Sequence, residues 1–273
     1  WLKLRPLAYK NHSYQWPTIG KEIAHIEDAT MDDVRDFFYS YYIPNNAYMV
    51  VAGNVTLEQV KRLSQKWFAP IPSGTRRVRN IPQEAVQTQA RFEEIGAKVP
   101  LDALYKVYHM SGKLSQDYYA TDLLSDILGR GKSSRLYDEL IQQKKLFTSI
   151  NGYIMSSVDP GLLVIDGKLN KGVSLKEGDE AITELLEKVV QESLSEEELN
   201  KVKNQAESTL AFGEVEVLNR AMNLSFAAML GDAELVNKEA ASIQKVTTAD
   251  VKRVAATVLK PENCSTLYYR SQE

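Results

Sequence analysis

Three histidines, one cysteine and a glycine-lysine-serine loop are the groups in this 273-residue chain that could carry chemistry. His12, His25 and His109 lie far apart and match no HExxH or HxxEH spacing, whereas a zinc site needs three or four ligands converging at about 2.0–2.3 Å, usually two of them on adjacent helical turns. They read as surface or core histidines, and no metal ligand is assigned. The stretch GRGKSSRLY, residues 129–137, sets glycines, a lysine and serines before a helix, as a phosphate loop would. It lacks the GxxxxGK[ST] frame and does not follow a strand, so it reads as a flexible loop entering a Ser-capped helix. No GxSxG elbow occurs, and Cys264 stands on a predicted strand with no histidine nearby, a core residue rather than a nucleophile. The acidic runs at 177–184 and 196–198 fall at predicted helix N-termini, where they complement the helix dipole on a solvated face. No residue reads as catalytic.

The elements that would position these groups follow from period and punctuation. RFEEIGAKV and ALYKVYHMSG read as paired strands, the second alternating Leu104, Lys106, Tyr108 with Tyr105, Val107, His109. A helix opened by Ser115 and stopped by Gly129 comes next, then the helix SSRLYDELIQQKK. FTSINGYIMSSV and LLVIDGKLN form a hairpin about Asp159, Pro160 and Gly161. Ser174 with Glu177 and Ser195 with Glu198 have capping-box spacing ahead of apolar helical patterns, and Gly213 and Gly231 mark helix ends. Further helices start near Ala233 and Thr248 and lead to a last strand. Strands, helices, strands, helices and one returning strand predict an α+β fold: an antiparallel or mixed sheet covered by helices on one face.

The chain also says nearly the same thing twice. An offset of 217 residues aligns 30–53 with 247–270 without a gap, matching Ile26 to Ile243, Thr30 to Thr247, Asp33 to Asp250, Val34 to Val251, Pro44 to Pro261 and Asn46 to Asn263. Each copy reads as a Thr cap, a helix of about eleven residues, a proline stop and a β-rich run. The helices are expected to bury Val34, Phe37 and Phe38 in one copy and Val251, Val254 and Val258 in the other. NAYMVVAG and NCSTLYYR are the strands that follow. A Pro-, Arg- and Gln-containing stretch at 70–90, with the basic TRRVR at 75–79, reads as a solvated linker. The expected organisation is therefore 1–75 as the C-terminal part of a first repeat, 76–90 as linker and 91–273 as a whole second repeat, the rest of the first lying upstream.

Composition narrows the class. A net charge of −3 and a pI near 5.8 give no reason to expect nucleic acid or an anionic membrane as partner. A single cysteine excludes an internal disulfide framework and any CxxC knuckle, and no run approaches eighteen apolar residues, so no membrane span is expected.

HSYQWPTIG at 12–20, TMDDVRDFFYSYYIPNNAYMVVAGNVTLEQV at 30–60 and LGRGKSSRLYDEL at 128–140 together resemble the inverted-motif zinc peptidases related to pitrilysin, insulysin and the mitochondrial processing peptidase. The resemblance covers most of the chain and implies tandem α+β repeats of about the size found by the internal offset. It also implies that HxxEH and the third zinc ligand belong to the part of the first repeat upstream of Trp1, so that zinc is expected there and no cofactor in this chain. Active members carry an Arg and a Tyr seven positions apart in the second repeat. Alignment puts Ile141 and Thr148 at those positions, and a shift of one brings Phe147, which has no hydroxyl. Ile has no hydrogen-bonding group and Thr neither the cation nor the phenol of that pair, so the two cannot stabilise an oxyanion as Arg and Tyr do.

The resemblance implies the C-terminal region of a zinc-dependent metalloendopeptidase, hydrolysing peptides or unfolded segments in a closed chamber whose wall this region supplies. Its partners would be that substrate, the zinc-bearing half upstream and a homo- or heterodimer mate, since some relatives divide zinc and the Arg/Tyr pair between subunits. The alternative is a catalytically silent peptidase-like subunit acting as a scaffold or extended-peptide binder. Candidate substrate contacts are Gly129, Gly131 and Arg135 in the 129–135 loop, and Tyr108. Tyr108 is equally readable as a buried strand aromatic, and Arg135 as the partner of Asp138 or Glu139 on its own helix.

Overall fold

The computed structural model describes residues 1–78 and 80–272; Arg79, the last residue of the basic TRRVR stretch, lies outside the described residues. In chain order the elements are α1 (Leu4–Ala8), α2 (Ala24–Glu27), α3 (Met31–Tyr41), α4 (Leu57–Trp67), β1 (Arg91–Ala97), β2 (Ala103–His109), α5 (Tyr118–Gly129) and a π-helical segment at Tyr137–Gln143. There follow β3 (Phe147–Met155), β4 (Leu162–Leu169), α6 (Leu175–Gln191), α7 (Glu196–Gly213), α8 (Val217–Met229), α9 (Leu235–Lys245), α10 (Thr248–Val258) and β5 (Cys264–Ser271). The chain divides into two compact units. One holds Trp1–Pro17, Pro82–Ala206 and the stretch from Ala241 onward; the other holds Thr18–Ile81 and Glu207–Ala240.

The first unit is built on a five-stranded mixed sheet in the order β1-β5-β2-β4-β3, with β1 parallel to β5 and the remaining pairs antiparallel. The expected α+β class holds, and the β3–β4 hairpin forms with Met155 opposite Leu162. The expected pairing of β1 with β2 does not. β5 lies between them, with Thr266 opposite both Phe92 and Lys106. The physical reason is burial. Cys264, Ser265, Thr266 and Leu267 are all buried, as a strand flanked on both edges and both faces requires, whereas β1 alternates half-buried and exposed, as an edge strand can.

Register assigns the two faces of the sheet. Leu104, Lys106, Tyr108, Leu163 and Ile165 point one way, toward α5 and α6, with α10 packed on both helices. Val107, Leu162, Val164 and Leu267 point the other way, and on them sit Leu4, Leu7, Ala8 and Tyr9 of the α1 region. Helices on one face alone was therefore an incomplete expectation. A five-residue helix interrupted by Pro6 carries little periodicity, yet it buries two leucines, worth roughly 2 kcal/mol each.

Caps explain where the helices begin. Thr30–Asp33, Thr56–Gln59 and Thr247–Asp250 are full capping boxes, while Ser174 and Ser195 accept the Glu177 and Glu198 amides. The expected start of α5 at Ser115 shifts by one turn: Ser115 Oγ accepts the Asp117 amide at 3.2 Å, and the helix begins at Tyr118. The 82–90 part of the expected linker is not simply solvated. Gln87 is buried, and its amide donates to the Glu262 and Cys264 carbonyls at 3.0 and 2.8 Å.

The second unit has no sheet among its described residues. The expected burial of Val34, Phe37 and Phe38 fails there: they are 54%, 58% and 50% exposed. The run 47–51 has no ladder and is not the strand expected of it. An extended segment becomes a strand only when neighbouring backbone satisfies its N–H and C=O groups. Among the described residues of the whole chain, no helix is long and apolar enough to cross a membrane.

Candidate functional site

The 129–135 loop is placed by the close approach of α5 to β3. Gly129 ends α5 against Gly152, and a Cβ on Gly129 would fall 1.9 Å from the Gly152 nitrogen. Only glycine fits there. Gly131 has φ +80 with open space around it, so its requirement is conformational. Ser134 is buried and donates to the Gly131 carbonyl at 2.8 Å, closing the loop on itself. Lys201 of α7 adds bonds to the Ser133 carbonyl and hydroxyl at 3.1 and 3.2 Å.

Arg135 leaves the loop pointing at α7 rather than along its own helix. Its Nε and Nη2 reach the two carboxylate oxygens of Glu198 at 3.0 and 2.8 Å, a bidentate pair that raises the guanidinium pKa further. The expected pairing with Asp138 or Glu139 is thereby corrected. Glu139 instead pairs with Lys144 and Lys188, and Gln143 donates to Asp138. Glu198 supplies its backbone amide to Ser195 and its carboxylate to Arg135, so the Ser195 box is half formed.

Tyr108 is 3% exposed, on the sheet face beneath the helices, and burial first of all pushes its phenol well above the ordinary value. The structure does not bring its ring to the surface loop. Lys106, on the same face, is buried with Asp179 of α6 as ion-pair partner, and Tyr268 donates to the same carboxylate at 2.9 Å. A recess lined by Leu124, Ile127, Arg135, Glu192 and Val251 offers about 10 Å³, room for one water and no substrate.

Ile141 lies half-buried in the π-helical segment Tyr137–Gln143, and Thr148 near the start of β3 is exposed, its hydroxyl 2.8 Å from Asn170 Oδ1. The turn between them puts Lys145 at φ 54, a left-handed conformation that costs a non-glycine residue about 1 kcal/mol. Neither side chain can bring a cation or an acidic hydroxyl to a developing negative charge.

Two of the three histidines, His12 and His109, are committed elsewhere, and His25 lies exposed in α2. His12 is buried; its Nδ1 accepts the Tyr14 amide at 3.1 Å, so Nε2 carries the proton and donates to Asp159 at 3.2 Å. His109 donates to the Ala8 carbonyl at 2.9 Å, and burial lowers its pKa. Among the described residues no three His, Cys, Asp or Glu side chains are grouped as metal ligands. The donors present do not fit a zinc ion.

One assembly was invisible to sequence reasoning. Glu84 accepts three successive backbone amides, from Lys10 and Asn11 at 2.8 Å and from His12 at 2.9 Å. Arg91 donates to the Leu7 and Ala8 carbonyls, and Tyr9 donates to the Pro160 carbonyl at 3.1 Å. Together they strap residues 7–12 across the sheet. The partners lie more than 70 residues apart, and no local spacing announces such pairs.

A profile of the family described as "Peptidase M16 inactive domain" matches residues 28–206. The zinc protease PqqE of Helicobacter pylori is 30% identical over 206 residues, covering 72% of this chain and 45% of that protein. The solved structure of a protease from Helicobacter pylori superposes with a TM-score of 0.89 at 25% identity, over 98% of this chain and 65% of its own. The peptidase M16 inactive domain from Pseudomonas fluorescens, at 16% identity and a TM-score of 0.87 over 100% of this chain and 64% of that one, shares the fold. This chain spans about half the length of the curated relatives it matches.

Proposed function

Because the chain belongs to the M16 peptidase family, we propose that it is the C-terminal region of a zinc-dependent metalloendopeptidase, in which it supplies a wall of the substrate chamber and no catalytic group. In this reading 1–75 is the tail of a zinc-bearing first repeat, 76–90 a linker and 91–273 a second repeat that binds no zinc. Substrate is an unfolded segment or peptide, met at the surface loop around Gly131. Gly129 shapes that loop from within, Arg135 holds it through Glu198, and Tyr108 acts only through the packing of β2.

The observation that carries the reading is the pair Ile141 and Thr148. The family resemblance sets a substrate-holding Arg and Tyr at these positions, whereas Ile141 can give no hydrogen bond and Thr148 brings neither a cation nor a phenol. The test is hydrolysis of an unfolded protein and a fluorogenic peptide by the purified chain, with and without a chelator. No chelator-sensitive cleavage is expected, and finding it would place the chemistry inside this chain and overturn the reading.

A second reading has one observation in its favour. β1 stands at the edge of the sheet, paired on one side only, and a silent scaffold could add an extended peptide there by backbone pairing. The roughly 130 codons upstream of Trp1, a length set by the repeat offset, separate the two. An HxxEH with a downstream Glu supports the peptidase, and its loss supports the scaffold.

A further inference from the structure

We propose that the far face of the sheet, where the N-terminal strap leaves it, binds an arginine side chain of an unfolded peptide at the Asp166 carboxylate, beside the rings of Tyr105 and Tyr153. The inference rests on the reading that this chain meets a peptide substrate, and it adds to that reading a residue type that the substrate is selected for.

Period and register bring the group together. Alternate residues of each strand face the same way, so one row across the five strands carries Glu93, Leu267, Tyr105, Asp166 and Asn151 on the face that α1 partly covers. Tyr105 and Asn151 stand directly opposite Asp166. Tyr153, opposite Val164, is its diagonal neighbour, at a distance long side chains span. The strap fills only part of this face. Leu4, Leu7, Ala8 and Tyr9 close over Val107, Val164 and Leu267 and touch Tyr105 and Tyr153, while both rings, and Asp166 with them, stay half-buried.

Asp166 lacks what comparable carboxylates have. Asp126, Glu139, Asp179 and Glu198, half-buried among the helices, each hold a lysine or arginine of this chain. Among the described residues no cation pairs with Asp166: Asn151 Nδ2 donates to it at 3.2 Å, and the Tyr153 phenol hydrogen-bonds to it. Lys168, two residues along the same strand and facing the same way, is exposed and forms no ion pair with it. Arg91, also on this face, is spent on the Leu7 and Ala8 carbonyls. Burial first, and then the Asp166 charge, push the Tyr153 phenol up to about 12 and raise that of Tyr105, so both rings are neutral at ordinary pH.

A carboxylate beside two neutral aromatic rings is a receptor for a cation from outside, and the geometry selects its kind. A guanidinium is planar, so it can pair with both carboxylate oxygens while a phenol ring lies against its face. Asn151, with its NH₂ turned to Asp166, keeps Oδ1 to accept a further N–H. An ammonium would forgo the planar pairing. Glu93, in the same row and likewise without a cation among the described residues, deepens the negative potential over the face.

The test titrates this chain with a capped Gly-Ser peptide holding one central arginine, and with the same peptide carrying citrulline, which keeps the shape and loses the charge. Binding about tenfold tighter for arginine is expected, with amide shift changes centred on Tyr105, Asn151 and Asp166. Asp166→Asn should erase that difference without moving the thermal midpoint. A second measurement needs no variant: the arginine peptide should slow hydroxyl-radical oxidation of Tyr105 and Tyr153 in the wild-type chain, and the citrulline peptide should not. Equal binding of the two peptides, or of the arginine peptide and a lysine one, overturns the proposal. So does a preference for arginine that survives in Asp166→Asn. Tyrosine protection that grows with protein concentration in the absence of peptide would make a second copy the occupant, through its exposed Arg76, and would overturn it too. Peptide hydrolysis by the parent chain is read separately: its absence refutes the peptidase reading and leaves arginine binding standing.

Discussion

Glu84 is the residue on which the N-terminal strap turns. Burial alone would raise its pKa, yet three backbone amide donors outweigh that and hold the carboxyl below the ordinary glutamate value of 4.5. A folded-state pKa below the unfolded one means stability that is complete at neutral pH and is lost as the pH falls through the folded value. Glu84→Gln keeps an acceptor but removes its charge, and it should cost about 1–2 kcal/mol in urea unfolding at pH 7, with the difference from wild type shrinking as the pH falls below 4.5. A constant difference down to pH 3 would show that the charge is not what holds the strap. His109 acts in the same direction. Burial depresses its pKa below 6.5, so it favours the unfolded state once that state protonates, and acid loosens the strap at two points. None of this was legible beforehand, because Glu84 falls in a stretch whose composition reads as linker.

Between elements, the tightest constraint is the crossing of α5 over β3. Gly129 and Gly152 let the helix end touch the strand backbone, so Gly129→Ala must drive backbone apart rather than displace a flexible side chain. Destabilisation of about 3 kcal/mol is expected by thermal or urea unfolding, at the upper end for overpacking, and a change under about 0.5 kcal/mol would show that the contact is slack. The sequence marked Gly129 as a helix stop, which it is, but the role that matters is tertiary. The π-helical segment was likewise hidden: SSRLYDELIQQKK has the composition of an α-helix, and its widened turns appear only with the Lys145 turn that delivers Phe147 to the sheet. Caps, by contrast, were readable to the residue at Thr30, Ser174, Ser195 and Thr247, because a cap is a bargain among four neighbouring residues.

For the whole molecule, the proposal makes position 141 and position 148 the place where chamber chemistry was given up or handed to a partner subunit. Ile141→Arg with Thr148→Tyr should leave the isolated chain without peptide hydrolysis. In a parent chain that cleaves, the double substitution should raise kcat about tenfold to a hundredfold with little effect on KM, since the added groups act on charge that develops in the transition state. An unchanged kcat would mean that these positions do not face the reacting bond. By itself the sequence determined the α+β class, the family resemblance, most helix starts and the β3–β4 hairpin, all of which depend on residues within a few positions or on a recurring pattern. Only the tertiary structure decided that β5 enters between β1 and β2, that Arg135 is spent on Glu198, and that α1 lies on the far face of the sheet. It also decided that, of two helix-and-run motifs with the same cap and proline stop, one is buried and the other exposed. Those outcomes turn on which distant surface is available to satisfy a backbone edge, a charge or an apolar face, and local sequence is the same whether that surface is present or not.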